Sequence, residues 1–216
     1  MSRCFFVYTL NKWNFLHYNN IIRNCVQLKL WSNETLLVIL IEVVMKFADI
    51  KKLTRDGHYQ INVPIKRLPE WIKEHAENDD LQMNPDFQRG HVWTEEQQIA
   101  YVEFLLRGGQ SGRTIYFNHP GWMGSFQGDF VCVDGLQRCT AICRFINNEI
   151  PAFGTLYKDF EDKLHSDPDV LININDLKTR EEVLQWYLEM NTMGTPHTQD
   201  ELNRVMNLLL EERNNA

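Results

Sequence analysis

The sequence predicts an α+β domain on three observations. Short runs of β-branched and aromatic residues at 61–63, 114–117, 129–133 and 170–174 read as strands. Helical spacing, opened in places by capping signals, occupies 69–76, 94–106, 136–146, 180–190 and 199–212. At Asp134-Gly135 the period switches from one to the other, so that a buried strand runs straight into a helix.

Residues 1–44 differ in texture from all that follows, being rich in Asn, Ile, Leu, Phe and Trp with few acids and little regular period. They form an atypical N-terminal extension, and the domain proper spans 45–216. The apolar run 36–41 is broken by Glu42 and Lys46, well short of the ~20 residues a membrane span requires. It also lies too far from the terminus for a secretory signal, so no membrane insertion is expected. Two readings of the extension stand: Met45 is the natural start, or the extension is a short helical hairpin packed on the domain.

In the domain, 61–63 is a strand and Pro69 suits the first turn of a helix that turns Trp71 and Ile72 inward. The stretch 83–93 has loop chemistry, Asn-Pro and Arg-Gly, but carries Phe87 and Trp93, which marks a loop pinned to the core. Thr94 to Gln97 is a capping box, opening an amphipathic helix that stops at Gly108-Gly109. Strands at 114–117 and 129–133 then lead into the helix at 136, a β-loop-β-α unit. An extended piece at 150–153 and a strand at 170–174 follow. Two helices close the chain, the second opened by a capping box at Thr198 and separated from the first by a polar turn at 191–197.

A chain of 216 residues suits one globular domain with or without an appendage, and 44% hydrophobic with 24% charged residues is neither disordered nor membrane-like. The net charge of −7 argues against a general polyanion-coating role, which draws on surplus Lys and Arg. Five cysteines without a Cys-x-x-Cys pair fit a reducing cytosol better than a disulfide framework or zinc site. The histidines are scattered outside any ligand spacing, and Cys139 and Cys143 share an apolar helix face and read as core.

The chemistry concentrates where the strand meets the helix. Amide groups of a helix's first turn can hold an anion, and Gly135 lets a ligand approach the backbone. Asp134 is open to two readings, an N-cap accepting from the amide of Gln137 or its neighbour, or a ligand of Mg²⁺ that orients water. Arg138 can fork onto phosphate oxygens, and Gln137 is either a positioning amide or a surface one. Arg89, preceded by Gln88, is either a structural arginine or a second ligand contact.

Two motifs carry a resemblance. Asn84-Pro-Asp-Phe-Gln-Arg-Gly-His-Val-Trp93 resembles a P-x-(Y/F)-Q-R-x-x-V-W element, and Asp134-Gly-Leu-Gln-Arg-Cys-Thr-Ala141 resembles a D-G-Q-Q-R-x-T-(A/S) element, of the N-terminal domain of GmrSD-type restriction endonucleases (domain of unknown function 262). Asn191 to Leu202 is similar to that family's closing N-x-x-G-x-x-L-(T/S)-x-x-E-L motif. The resemblance covers about 61–210. Leu136 stands in place of the first glutamine of the second motif, which weakens a contact but keeps the paired Asp and Arg, and His197 stands where an aliphatic residue is usual.

The resemblance implies a ParB/sulfiredoxin-like fold, a small mixed sheet with surrounding helices and a C-terminal helical pair. Its pocket would hold a nucleotide or phosphate between Asp134, Gly135, Gln137 and Arg138, with Gln88 and Arg89 facing it and Asn191 closing it. NTP hydrolysis or sensing, and defence against modified foreign DNA in the cytoplasm of a bacterial or phage-infected cell, are the associated activities. Family members often carry an HNH-type nuclease domain after this one; no such constellation appears before Ala216, so a stand-alone protein or one subunit beside a separate nuclease subunit is expected. Two functions follow: a Mg²⁺-dependent hydrolase of a nucleoside triphosphate or phosphodiester, with Asp134, Gln137 and Arg138 catalytic and Asp134 holding the metal, or a non-catalytic nucleotide- or DNA-binding module acting on a partner.

Overall fold

Alternating and helical patterns become strands and helices at nearly every expected place in the computed structural model, which describes residues 26–33, 36–43, 47, 50–88, 90, 92–164, 168–192 and 199–215. The chain divides into two units, Met1–Lys52 and Leu53–Ala216.

In the first unit, β1 (Val26–Asn33) and β2 (Leu36–Val43) pair antiparallel, with Val26 opposite Val43 and Asn33 opposite Leu36. The helical hairpin is therefore corrected to a β-hairpin. The signal was present: Val26, Leu28 and Leu30 alternate with Gln27 and Lys29, a period of two. Met45 lies outside the described residues.

The second unit is built on a four-stranded mixed sheet in the order β3-β6-β4-β5, with helices on both faces. Its strands are β3 (Tyr59–Pro64), β4 (Thr114–Asn118), β5 (Val131–Asp134) and β6 (Asp169–Asn175). β6 runs antiparallel to β3 and parallel to β4, and β4 runs antiparallel to β5. The helices are α1 (Leu68–Asn78), α2 (Glu95–Leu106), α3 (Leu136–Ile146), α4 (Arg180–Thr192) and α5 (Gln199–Asn215). The α+β class is thus as the sequence predicts. Among the described residues no helix is long and apolar enough to cross a membrane.

Side chains alternate across the sheet and sort its two faces. Ile115 and Phe117 of β4, Cys132 of β5 and Ile172 and Ile174 of β6 share a core with Leu68 of α1, Leu105 of α2 and Ile142 of α3. Val131 and Val133 of β5 point the other way, into a second core with Trp186 of α4 and Val205 and Leu209 of α5. Both faces of β5 are covered, which is why it reads as an unbroken apolar run. Thr94 caps α2 through the expected capping box, and Pro69 sits in the first turn of α1. Thr198 and its capping box, with the 193–198 part of the polar turn, lie outside the described residues, whereas Asn191 and Thr192 still belong to α4.

Candidate functional site

The junction between β5 and α3 is built around Gly135. Its φ of +134° is a conformation that only glycine adopts readily. A Cβ there would lie 2.6 Å from Cγ2 of Ile115. The glycine is therefore required for packing the junction onto β4, and not only for a ligand's approach.

Gly135 also occupies the N-cap of α3, without any side-chain cap. Asp134 is one residue too early for that role, and the N-cap reading is corrected. Its Oδ2 instead accepts from Nη2 of Arg138 at 2.6 Å, one turn along the helix. An ionised pair makes a stronger hydrogen bond than a carboxylate to a neutral amide would.

Arg138 is held further. Its Nη1 donates to the carbonyls of Thr114 at 2.5 Å and Gly112 at 3.4 Å, and its side chain is 15% exposed. Burial works against its charge, but the adjacent Asp134 carboxylate outweighs that cost and keeps the guanidinium above its ordinary pKa. The guanidinium is thus tied to the body of the domain and not presented as an open fork.

Gln137 turns out to be a clamp. Its Oε1 accepts from the amides of Val92 at 3.0 Å and Trp93 at 3.1 Å, and its Nε2 donates to the carbonyl of Gly90 at 3.1 Å. The expectation of a free amide positioning water is replaced by one holding the 84–93 loop.

That loop is secured from other sides as well. Phe87 is 2% exposed and meets Tyr187 of α4 edge to face at 5.3 Å, so the loop is pinned as its aromatic content predicts. Gln88 donates through Nε2 to the carbonyl of Cys132 at 2.6 Å. Asp86 receives Nη2 of Arg180 at 2.7 and 3.0 Å. Arg204 of α5 donates to three successive carbonyls, those of Asp86, Phe87 and Gln88, at 2.7, 3.1 and 3.0 Å. Sequence reasoning missed Arg204. Its one signal is that α5 carries only Arg204 and Arg213 as bases. Arg89 and His91 lie outside the described residues.

These elements enclose a cavity of about 600 Å³. Gln88, Asp134, Gly135, Gln137, Arg138 and Asn191 all line it, so every sequence-predicted site residue that is described converges there. Asn191, near the end of α4, donates through Nδ2 to the carbonyl of Tyr187 at 2.7 Å. Aromatic rings from Trp93, Tyr101 and Phe104 share the lining.

Of the described cysteines, Cys132 and Cys139 lie in the core as expected for the latter, whereas Cys143 is only half-buried. Burial pushes the Cys132 and Cys143 thiols up to about 12, and Cys139 is raised as well, so none is a thiolate near neutral pH. His119 is 2% exposed and accepts from the Gly121 amide. Among the described residues no three His, Cys, Asp or Glu side chains stand together as a metal-binding group. A Mg²⁺ at Asp134 would therefore need its other ligands from phosphate oxygens and water, a set that Mg²⁺ commonly accepts.

Residues 69–169 match the model of the GmrSD restriction endonuclease N-terminal domain. This stretch is similar to a GmrSD-type N-terminal domain. Comparisons with curated proteins and with solved structures gave no match. The matched stretch holds both the Gln88 loop and the Asp134 junction. The GmrSD-type match stops before α4 and α5, which supply Asn191, Arg180 and Arg204.

Proposed function

We propose that the chain is a nucleotide- or nucleic-acid-phosphate-binding module of a restriction or defence system, acting on a separate nuclease subunit. The observation that carries this reading is the convergence of Gln88, Asp134, Gly135, Gln137, Arg138 and Asn191 on one cavity. The side chains on which turnover would call are engaged in holding that cavity: Arg138 with Asp134 and two carbonyls, Gln137 with the 90–93 backbone. Binding is accordingly favoured over cleavage. A ParB/sulfiredoxin-like arrangement of the small mixed sheet belongs to the same reading.

A second reading, a Mg²⁺-dependent hydrolase of a nucleoside triphosphate or phosphodiester, draws on Asp134, whose side chain is 41% exposed at the cavity. Mg²⁺ bound there would neutralise phosphate charge. Arg138 would orient the carboxylate, and Gln137 and Gln88 would hold the loop against the phosphate-bearing ligand.

Isothermal titration of the full chain with GTP, ATP and short DNA, run beside assays of phosphate release and plasmid nicking, separates the two. Saturable binding without product is expected. Product that vanishes in Asp134→Ala favours the hydrolase instead, and absence of binding by every ligand removes both.

A further inference from the structure

The wall of the cavity beside α2 is aromatic. Trp93 precedes the helix, and Tyr101 and Phe104 lie on it. Trp93 and Tyr101 fix one another, edge to face at 5.4 Å, and the Tyr101 hydroxyl donates to the carbonyl of Gly112 at 2.8 Å. Phe104 differs from both. It is 40% exposed, whereas Val102 and Leu105 of the same helix are buried completely.

The Phe104 ring is nevertheless held in place. It lies over Gly109, where an added Cβ would fall 2.3 Å from ring carbons, and the Gly109 amide donates to the Phe104 carbonyl at 2.9 Å. A phenyl ring kept half in water on a fixed backbone offers an apolar face with little ordering left to lose on binding.

Charge decides what kind of ligand would use that face. Among the described residues lining the cavity, the formal charges are those of Asp134 and Arg138, already paired at 2.6 Å. Polyphosphates are ordinarily cradled by Lys, Arg or metal ions. Neutral side chains with hydrogen-bonding capacity, Gln88, Ser111 and Asn191, complete the lining instead. A flat, uncharged ring with donors and acceptors on its edge matches both the phenyl face and these neutral groups.

Resting on the binding reading above, we propose that the recognised part of the ligand is a nucleobase: one unpaired base on its sugar phosphate stacks on Phe104, its edge toward Gln88, Ser111 and Asn191. The shared chemistry is a nucleobase carrying one phosphate, and its source is either a free mononucleotide or an unpaired base within a strand.

Titrations of the full chain with a nucleoside 5′-monophosphate against ribose 5-phosphate, and with a short single-stranded DNA against the same strand bearing a central abasic site, test this and distinguish the sources. The base-containing member of at least one pair is expected to bind better by about 5- to 150-fold. Phe104→Ala and Phe104→Leu should each erase that advantage while Phe104→Tyr keeps it, with melting curves showing all three folded. Equal binding of base-containing and baseless probes overturns the nucleobase assignment and leaves phosphate binding intact, as does an advantage that survives in Phe104→Leu. No binding by any probe overturns both.

Discussion

The two faces of the central sheet are covered by helices of different character. Toward α1, α2 and α3 the centre is apolar, extended by an aromatic group in which Trp71, Trp122 and Phe130 pack around His75 and His119, and the arginines at its edge, Arg138 and Arg144 of α3, hold the β5–α3 junction and α2. Toward α4 and α5 there is again an apolar centre, but here arginines reach the 84–93 loop: Arg180 on Asp86 and Glu212, Arg204 on three loop carbonyls, with Arg213 on Glu181. Hydrophobic burial is non-directional and decides that the layers meet. Guanidinium hydrogen bonds are directional and decide where the 84–93 loop lies. The lesson is that a loop inside the matched GmrSD-type segment takes its position from helices beyond it.

The largest test asks whether α4 and α5 belong to the same core. Phe87→Ala should cost about 3–5 kcal/mol in urea unfolding, as much as Phe117→Ala on the opposite face. A loss below about 0.5 kcal/mol, the range of ordinary surface changes, would make the α4–α5 face a detachable flank. Next, Gly135→Ala forces an alanine into a glycine conformation and against Ile115, and should cost about 1–3 kcal/mol for the backbone alone, read by the same unfolding curves.

Arg204→Ala should remove on the order of 1.5–3 kcal/mol of charge-assisted hydrogen bonding or less, since two of its three contacts are exposed. Its mark would be faster proteolysis within the 84–93 loop and weaker ligand binding; Arg204→Lys should recover little, because an ammonium cannot span three carbonyls as a planar fork does.

Acid and salt should separate the faces more gently. Burial pushes the pKa of His119 below its ordinary value, so the folded protein binds this proton less readily than the unfolded chain. Its stabilising share is complete above about pH 6.5 and declines as pH falls through and below that value toward the folded pKa. Melting temperature against pH should show this decline, and His119→Asn should flatten it. Smallest is Arg180→Ala: the exposed pair with Asp86 is worth about 0–1 kcal/mol, and high salt should shrink the difference from wild type.

Much of this organisation was legible from neighbouring residues. Thr94 and Gln97 announced α2, Pro69 announced α1, and the change of period at Gly135 located the β5–α3 turn, because caps, turns and periodicity depend on residues a few positions apart. The described site residues line one cavity. Their roles did not follow from the same signals. Asp134 was a reasonable N-cap until the helix proved to begin one residue later, and Gln137 was a free amide until the loop some 45 residues earlier closed on it. Even the missed β-hairpin at 26–43 had its period of two, overshadowed by the composition around it.

By itself, then, the sequence determined the α+β class, the strand-to-helix junction at Asp134-Gly135 and the set of residues around it, all of which are specified by local chemistry. Only the tertiary structure decided that Arg138 is locked to Asp134 and two carbonyls, that Gln137 and Arg204 hold the loop, and that Phe104 stands half-exposed on a cavity whose described charges are already paired. The physical reason is that hydrogen-bond partners and burial are set by which distant segments meet, and packing on both faces of the sheet chooses those.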